Sequence, residues 1–427
     1  MLYNNRFYWF AVLLSICVLI ETLAFTYLQD MGGVYYYSSS ILYFLSGIGV
    51  CVIPLLPIVK GGNSLVMHRI LSSYIPILFS VFFICILLYH IYILMQLYDL
   101  YPIDVRWADM LPVLKVGCQR FLAGKEVYGH TPVIWSNLLF SYFPMMWIPF
   151  LPAELFSFDY RWTTLIFQFT ALAVVLFPFF KQNRYIPVLP SLIAGISFFL
   201  FLNFFLVRNF HYWVLTEEGV VTAFYLVLGV LLLGQNYLLI GIAMTCCTLS
   251  RFGLLFWIPV YFGFVFFTQP RLEFWKLFFS YGLSMSVLFI FPFFIKEPSY
   301  FLNIPNVYNR MIDRFWTINL IDEHRYYHVG FFKFFTAHSA PSMSIWAFVS
   351  SFMSPLLLLF SFERFKDKFQ LNMRYIAYSS LKISLMFFYG FLSMPFQYVF
   401  VSVTILSYVV LFDFITNGGY SIPEPNE

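Results

Sequence analysis

Long apolar stretches recur from one end of this chain to the other, and they constrain its fold more than any other feature. An α-helix needs about 20 apolar residues to cross the hydrocarbon of a bilayer, where its backbone amides must be paired internally. The chain is 61% hydrophobic and 10% charged. Because a soluble domain carries roughly 25% charged residues, an ordinary soluble fold is excluded. The predicted spans are residues 7–28, 41–59, 74–96, 137–152, 163–180, 186–207, 219–233, 236–249, 254–268, 275–295, 341–361, 375–392 and 396–414.

These spans predict an all-α polytopic membrane protein with about 11–13 transmembrane helices. Charged residues gather in two long polar intervals, and no change of composition marks a soluble domain. We therefore predict a single integral-membrane domain over residues 1–427. Its parts are the N-terminal spans (1–97), a first polar loop (98–135), core spans (136–295), a second polar loop (296–340) and C-terminal spans (341–427).

Basic residues in the short loops predict the orientation of these spans, because cytoplasmic loops are enriched in Lys and Arg. Arg6, Lys60 and Arg374 then lie inside, and both long polar loops lie outside. Three predicted spans separate residue 135 from residue 208, and both of these points are predicted to lie outside. An odd number of membrane crossings cannot connect two points on the same side of the membrane. We expect the segment 137–152 to be re-entrant or split, because Pro residues interrupt it at positions 144, 149 and 152.

Several classes of function find no support in the sequence. The net charge is only +4 without a basic run, so no nucleic-acid partner is predicted. Most of the six cysteines lie in apolar runs and none forms a CxxC pair, so neither a disulfide nor a metal site is predicted. No DxD motif for a metal-bound nucleotide sugar and no phosphate-binding GxxxxGK[ST] loop occurs.

The first polar loop contains a short amphipathic pattern at residues 109–124, with apolar side chains at i, i+3 and i+4 spacing. Asp109 stands at the N-cap position, Pro112 is in the first turn and Gly124 follows the last turn. The pattern predicts a helix lying in the membrane interface. Asp109 either caps this helix or presents a carboxylate just above the bilayer, and the two interpretations are compatible.

The stretch DMLPVLKVGCQRFLAGKEVY resembles the first extracytoplasmic loop of the GT-C glycosyltransferases that use polyprenyl-phosphate sugars, in their bacterial mannosyltransferase-like branch. That branch has an Asp, an amphipathic helix ending in a small residue and Gly, and then Pro-Tyr. Asp109, Ala123, Gly124 and Tyr128 match this pattern, with Val127 in place of the Pro.

Two later segments extend the resemblance. Tyr142, Phe143 and Pro144 stand where the branch has Tyr-Pro-Pro, so one Pro is missing. GIAMTCCTLSRFGLLFWIP is similar to a helix–break–helix segment that has Lys-Pro at the break. Here Ser250 takes the lysine position and Arg251 follows it.

The resemblance covers residues 99–268 and implies a GT-C-like bundle with the interfacial helix in the first long extracytoplasmic loop. It also implies an inverting transfer, in which polyprenyl phosphate leaves and an acceptor hydroxyl attacks. By this analogy Asp109 is the general base, and Asp104 in the same loop is the alternative.

Bases at the membrane edge are candidates for binding the phosphate. Arg251 interrupts an apolar stretch, so it either faces a cavity or anchors the interface. Arg325 lies in the sequence DEHRYYH, which suits a phosphate and sugar site and equally suits a solvated loop.

Further polar side chains are candidates for contacts with the sugar. His211 and Glu217 lie in the segment RNFHYWVLTEEG, although one of its glutamates would alternatively cap the next helix. Tyr128 and Tyr142 are added from the resemblance. Glu21, inside the first span, is expected to pair with another helix or to be protonated.

Together these features predict an inverting glycosyltransferase of the bacterial inner membrane that acts on the extracytoplasmic side of a cell-envelope glycan pathway. Mannose is one candidate for the sugar, and the acceptor is a hydroxyl of a glycan, lipid or protein. No cofactor is predicted, and the involvement of a divalent metal stays open. The alternative is a transporter or flippase of lipid-linked sugars, and a third hypothesis is a membrane scaffold without chemistry.

Overall fold

The structure is a computed structural model, in which the helices of the described residues form a bundle. It describes residues 5–31, 33–56, 67–131, 138–180, 187–204, 209, 215–304, 329–334, 340–369, 371–392 and 397–417. The α-helices are α1 (Asn5–Thr26), α2 (Gly33–Val52), α3 (Met67–Leu100), α4 (Met110–Leu122), α5 (Pro144–Trp147), α6 (Leu151–Leu155), α7 (Tyr160–Phe180), α8 (Val188–Asn203), α9 (Glu218–Gly234), α10 (Tyr237–Thr248), α11 (Trp257–Thr268), α12 (Arg271–Met285), α13 (Ala340–Phe369), α14 (Ile376–Gly390) and α15 (Val401–Asn417).

Irregular and π-helical turns extend several of these helices. Turns of 3-10 helix at Phe252–Phe256 lead into α11, and a π-helix at Ser286–Phe294 continues α12. The β-structure within the described residues is one antiparallel pair, β1 (His130–Thr131) with β2 (Leu138–Leu139).

Seven of the described helical segments are long and apolar enough to cross a membrane, and four shorter apolar helices accompany them. The protein is therefore an all-α, multi-pass membrane protein in a lipid bilayer, as the sequence predicts. The longer segments include α1, α7, α13 and α15. α15 is buried on all sides and forms the centre of the bundle, whereas α3 and the segment Arg271–Phe294 have most of their surface free to face lipid.

Polar side chains connect the central helices, as expected where hydrophobic burial alone does not hold helices together. Ser15 Oγ donates to the carbonyl of Pro190 (3.1 Å), and Ser197 Oγ donates to Thr22 Oγ1 (3.2 Å). The second contact lies further toward the C-terminal end of both helices, so α1 and α8 run parallel. Tyr408 of α15 joins the same group through a hydroxyl contact of 2.6 Å with Thr22.

A fully buried ion pair lies in the same central region. Lys382 Nζ of α14 is 2.7 Å from Glu21 Oε1 of α1, and both side chains are completely buried. Ser407 Oγ donates to the second oxygen of Glu21 at 2.6 Å, and Lys382 also donates to the carbonyl of Val403. The prediction that Glu21 pairs with another helix is confirmed.

One end of the bundle, which we call the α4 end, carries the first polar loop. Arg161 at the start of α7 donates to the carbonyl of Tyr101 just after α3, at 2.8 Å. This contact places the end of α3 beside the start of α7. It also puts a cation at the negative end of the α3 helix dipole, where a positive charge is stabilising.

The start of α1 and the end of α15 lie together at the opposite end. Phe7 of α1 stacks on Phe414 of α15 with ring centroids 5.5 Å apart, and the amide of Asn372 donates to Leu55 after α2. Residues 329–334, in the second polar loop, instead contact the first turns of α2 through a hydrogen bond from Ser40 to Gly330. Phe301 and Ile304 of the second polar loop are buried in one hydrophobic core with Leu111 and Leu114 of α4, so described parts of both polar loops lie at the same end of the bundle.

The segment 144–155 forms three successive short helical pieces rather than a spanning helix. Even as one continuous α-helix it would be only about 18 Å long, against about 30 Å of bilayer hydrocarbon. It packs against α4 at the α4 end, where Cys118 Sγ donates to the carbonyl of Trp147 at 3.4 Å. This arrangement agrees with the prediction that 137–152 does not cross.

Candidate functional site

Asp109 occupies the N-cap position of α4, but its side chain makes no capping hydrogen bond. Its backbone carbonyl accepts from Val113 at 3.0 Å, so the helix begins there as predicted. The residue is half-buried. Of the two interpretations of Asp109, the geometry favours a carboxylate that remains available at the α4 end of the bundle.

The position of α4 is determined by its apolar face and by its ends. Leu111, Val113, Leu114, Gly117 and Cys118 are buried in a second hydrophobic core, separate from that of the bundle. The helix ends as its sequence predicts: the amide of Lys125 donates to Arg120 O, and Gly124 adopts a φ of 65°.

A polar contact on the other face ties α4 to the short helices behind it. Gln119 Nε2 donates to Glu154 Oε1 of α6 at 2.9 Å, and the hydroxyl of Tyr160 donates to the other oxygen of Glu154 at 2.8 Å. The same carboxylate therefore connects α4, α6 and α7. Asp109 thus begins a helix that is held from both sides.

Asp104, the alternative base, has a different environment. Its carboxylate accepts from the backbone amide and from the guanidinium of Arg106, at 2.9–3.0 Å, in an exposed turn. The hydrogen bonds from Arg106 lower the pKa of Asp104 below its usual range. A carboxylate held ionised by a neighbouring guanidinium is a weaker proton acceptor. Asp109 is therefore the better candidate.

Arg251 lies at the break between α10 and the turns leading into α11, with one-sixth of its side chain exposed. Its Nη2 is 3.2 Å from Glu217 Oε1, and the same guanidinium forms an ion pair with Glu218. Both carboxylates are buried. The guanidinium also lies over the ring of Tyr398, 5.5 Å from its centroid. The interpretation of Arg251 as a solvated interface anchor does not fit this environment.

Local hydrogen bonds explain why the helix is interrupted at Arg251. α10 ends in turns in which the amides of Ser250 and Arg251 both donate to Cys247 O. The free carbonyl of Leu249 accepts from the amide of Met145 at the start of α5, at 3.0 Å. This bond joins the break to the segment that packs under α4.

Neither glutamate caps α9 with its side chain. Glu217 is the N-cap residue without a side-chain capping bond, and Thr216 Oγ1 accepts from the amide of Glu218 at 3.2 Å instead. Glu217 Oε2 has no hydrogen-bond partner among the described residues. The alternative prediction, that the side chain of one of these glutamates caps the next helix, is therefore wrong.

The electrostatics of Glu217 connect it with Asp109. Burial raises the pKa of Glu217, the positive charge of Arg251 opposes that rise, and the negative charge of Asp109 adds to it. Asp109 therefore lies within electrostatic range of the Glu217–Arg251 pair, although it belongs to a separate helix. The structure brings together three of the predicted site residues: Asp109, Glu217 and Arg251.

Tyr128 lies in a different environment from these three. Only 4% of it is exposed, and its ring packs edge-on against Phe140, Phe293 and Phe301. Trp147 Nε1 approaches its hydroxyl at 3.5 Å. These contacts explain Tyr128 as a packing residue of the second core, and they give no support to its predicted contact with substrate.

The remaining predicted residues add little to the site. Tyr142 is half-buried, with its ring 6.0 Å from that of Phe140. His211 and Arg325 lie outside the described residues, so their predicted roles stay predictions. Within the described ranges, no group of three or more His, Cys, Asp or Glu side chains is arranged to hold a metal ion.

The sequence indicated Glu217 and Glu218 as candidates for contacts with the sugar, but it did not reveal that both pair with Arg251 or that an aromatic ring lies beneath the guanidinium. Glu218 directly follows Glu217, and such a pair at the edge of a span is a visible signal, since each buried charge needs a partner. No local signal pointed to Tyr398, which is far from Arg251 in the chain.

No protein-family model, no curated protein and no solved structure matches this chain.

Proposed function

We propose that this protein is a GT-C-type glycosyltransferase of the bacterial inner membrane. It moves a sugar, for which mannose is a candidate, from a polyprenyl-phosphate donor to a hydroxyl acceptor on the extracytoplasmic side. One observation carries the proposal. Asp109 is half-buried, its side chain makes no capping hydrogen bond, and it lies within electrostatic range of the Glu217–Arg251 pair at the end of a membrane-embedded bundle. A base and a phosphate-binding cation are the groups that this transfer requires.

The proposed chemistry assigns one role to each group. Asp109 accepts the proton of the attacking hydroxyl as the new glycosidic bond forms. The bond between the anomeric carbon and the phosphate oxygen breaks, and its electrons leave with polyprenyl phosphate. Arg251 would contact that phosphate through its exposed part, while Glu217 and Glu218 hold the guanidinium from the buried side.

A transfer assay with two matched variants tests the proposal. Membranes containing the protein would receive a panel of radiolabelled polyprenyl-phosphate sugars, with native membranes supplying acceptors. Asp109→Asn should reduce transfer by about 100-fold or more, the usual contribution of a general base. Asp104→Asn removes the same charge from the same loop but should keep transfer near the wild-type level, because Asp104 faces Arg106.

Two results would contradict the proposal. Full transfer by Asp109→Asn would show that Asp109 is not the general base. Absence of transfer from every donor by a well-folded wild-type protein would show that the protein is not a glycosyltransferase of this kind.

The second candidate function is a transporter or flippase of lipid-linked sugars. The observation in its favour is the charged pair of Glu21 and Lys382 inside the bundle, since charges within spans often mark transport paths. Both side chains are fully buried and hydrogen-bonded, which is equally the property of a structural contact. Movement of lipid-linked sugar across proteoliposomes without a new glycosidic bond would favour this candidate.

A further inference from the structure

Among the described residues, the group around Arg251 holds more acidic than basic side chains. Glu217 is completely buried and Glu218 almost so, and both pair with the one guanidinium of Arg251. Asp109 adds a third carboxylate within electrostatic range. Three ionised carboxylates and one guanidinium would leave an excess of two negative charges among these groups, and two of the carboxylates are buried away from solvent.

Neighbouring buried carboxylates do not all stay ionised, because each charge disfavours the next and burial disfavours every uncompensated one. Among the described residues, Arg251 is also in electrostatic contact with Tyr389 of α14, which in turn contacts Tyr225 of α9 and Cys247 of α10. Tyr398 lies under the guanidinium. Phenols and thiols are neutral near pH 7, so none of them offsets the excess negative charge.

Glu217 is the residue best placed to carry the proton. Its Oε1 faces Arg251, whereas its Oε2 is buried without a hydrogen-bond partner among the described residues. A protonated carboxyl group loses less on burial than a carboxylate with an unpaired oxygen. Burial raises the pKa of Glu217 in the same direction.

We propose that Glu217 is a proton-carrying positioning residue that acts through Arg251. With Glu217 neutral, the guanidinium retains enough positive charge to bind a phosphate group at its exposed part. With Glu217 ionised, two carboxylates neutralise the guanidinium and repel the phosphate. This inference rests on the proposed function, since it assigns the phosphate of the donor to Arg251.

The sign of the pH dependence follows from this linkage. A bound phosphate favours the protonated form of Glu217, so binding at higher pH takes up a proton. Affinity is then greatest below the raised pKa of Glu217 and falls as the pH rises through it. One linked proton gives a decrease of at most about tenfold for each pH unit.

A binding titration with a prenyl phosphodiester tests the inference. Farnesyl methyl phosphate is a suitable probe, because a diester lacks the second ionisation that a phosphate monoester has near about pH 6. Calorimetry of the purified full chain in detergent, from about pH 5 to about pH 9 and in buffers of different ionisation enthalpy, gives both affinity and proton uptake.

The wild-type protein should bind more weakly as the pH rises, with uptake approaching one proton. Glu217→Gln keeps the shape but cannot ionise, so it should bind with the low-pH affinity throughout and take up no proton. Glu218→Gln is the second variant, in case Glu217→Gln does not fold, and it should also flatten the profile. Asp104→Asn should keep the wild-type profile.

The outcomes separate this inference from the proposed function. Wild-type binding that is lost in Arg251→Gln but shows no pH slope and no proton uptake would overturn the inference alone. So would an undiminished slope in a folded Glu217→Gln variant. Failure of the wild-type protein to bind the diester at every pH would contradict the proposed function, and the inference with it.

Discussion

The carboxylate of Asp109 lies close enough to Glu217 for its charge to raise the pKa of that buried residue, although more than a hundred residues separate them in the chain. One residue begins an amphipathic helix at the end of the bundle, and the other directly precedes the apolar helix α9. Arg251, from a third segment, completes the group by pairing with Glu217.

The buried position of Tyr128 predicts how two substitutions differ. Tyr128→Phe keeps the aromatic packing and loses only a 3.5 Å contact with Trp147, so we expect transfer within about twofold of wild type. Tyr128→Ala leaves a cavity among Phe140, Phe293 and Phe301, at a cost of about 3–5 kcal/mol in unfolding free energy. Thermal unfolding in detergent and the transfer assay measure the two effects. A large loss of transfer in a stable Tyr128→Phe protein would instead restore its predicted contact with substrate.

Gly117 allows α4 to approach Phe140, and this predicts a paired result. A Cβ atom at Gly117 would lie 2.6 Å from Cζ of Phe140, which is too close for a real contact. Gly117→Ala should therefore displace α4, lower stability by about 1–3 kcal/mol and reduce transfer, because Asp109 moves with the helix.

The control for this prediction is the double variant Gly117→Ala with Phe140→Leu, in which the shorter side chain leaves room for the added methyl group. It should recover part of the lost transfer and stability. Equal defects in the single and double variants would show that the close contact between these residues does not determine the position of α4.

The ion pair between Glu21 and Lys382 predicts a non-additive pattern of stability. Removing one partner, as in Glu21→Gln or Lys382→Met, leaves the other charge or its hydrogen bonds without compensation and should cost about 3–5 kcal/mol. The double variant should be less destabilised than the sum of the two single ones. Unfolding measurements on all four proteins give the coupling energy, and strict additivity would contradict a direct interaction.

The same variants distinguish a structural role from a transport path. If the pair only holds α1 against α14, a folded double variant should keep the transfer activity of the wild type. Selective loss of function with unchanged stability would favour the transporter alternative.

Local sequence signals predicted the helical class and much of the first loop. The apolar runs indicated the spanning helices, Asp109 and Gly124 marked the two ends of α4, and the prolines at residues 144, 149 and 152 marked the segment that does not form a spanning helix. Each of these signals acts within a few residues, so one sequence is sufficient to recognise it. The pairing of Asp104 with Arg106, two residues away, belongs to the same local class.

Long-range packing determined what the sequence did not reveal. The double pairing of Arg251 with Glu217 and Glu218 requires the α10 break to lie beside the start of α9. Lys382 was the one cation inside the predicted span 375–392 and was therefore a visible partner for Glu21, but only the tertiary arrangement of the helices could identify the pair. The burial of Tyr128 likewise depends on aromatic rings from the π-helix after α12.

The most direct measurement is an experimental structure of the Asp109→Asn protein in a lipid nanodisc, with a non-hydrolysable polyprenyl-phosphate sugar bound. We expect the phosphate to lie within hydrogen-bonding distance of Arg251 and the sugar to lie beside residue 109. A donor bound elsewhere would contradict the proposed transfer, and so would a residue 109 that faces lipid and is separated from Arg251.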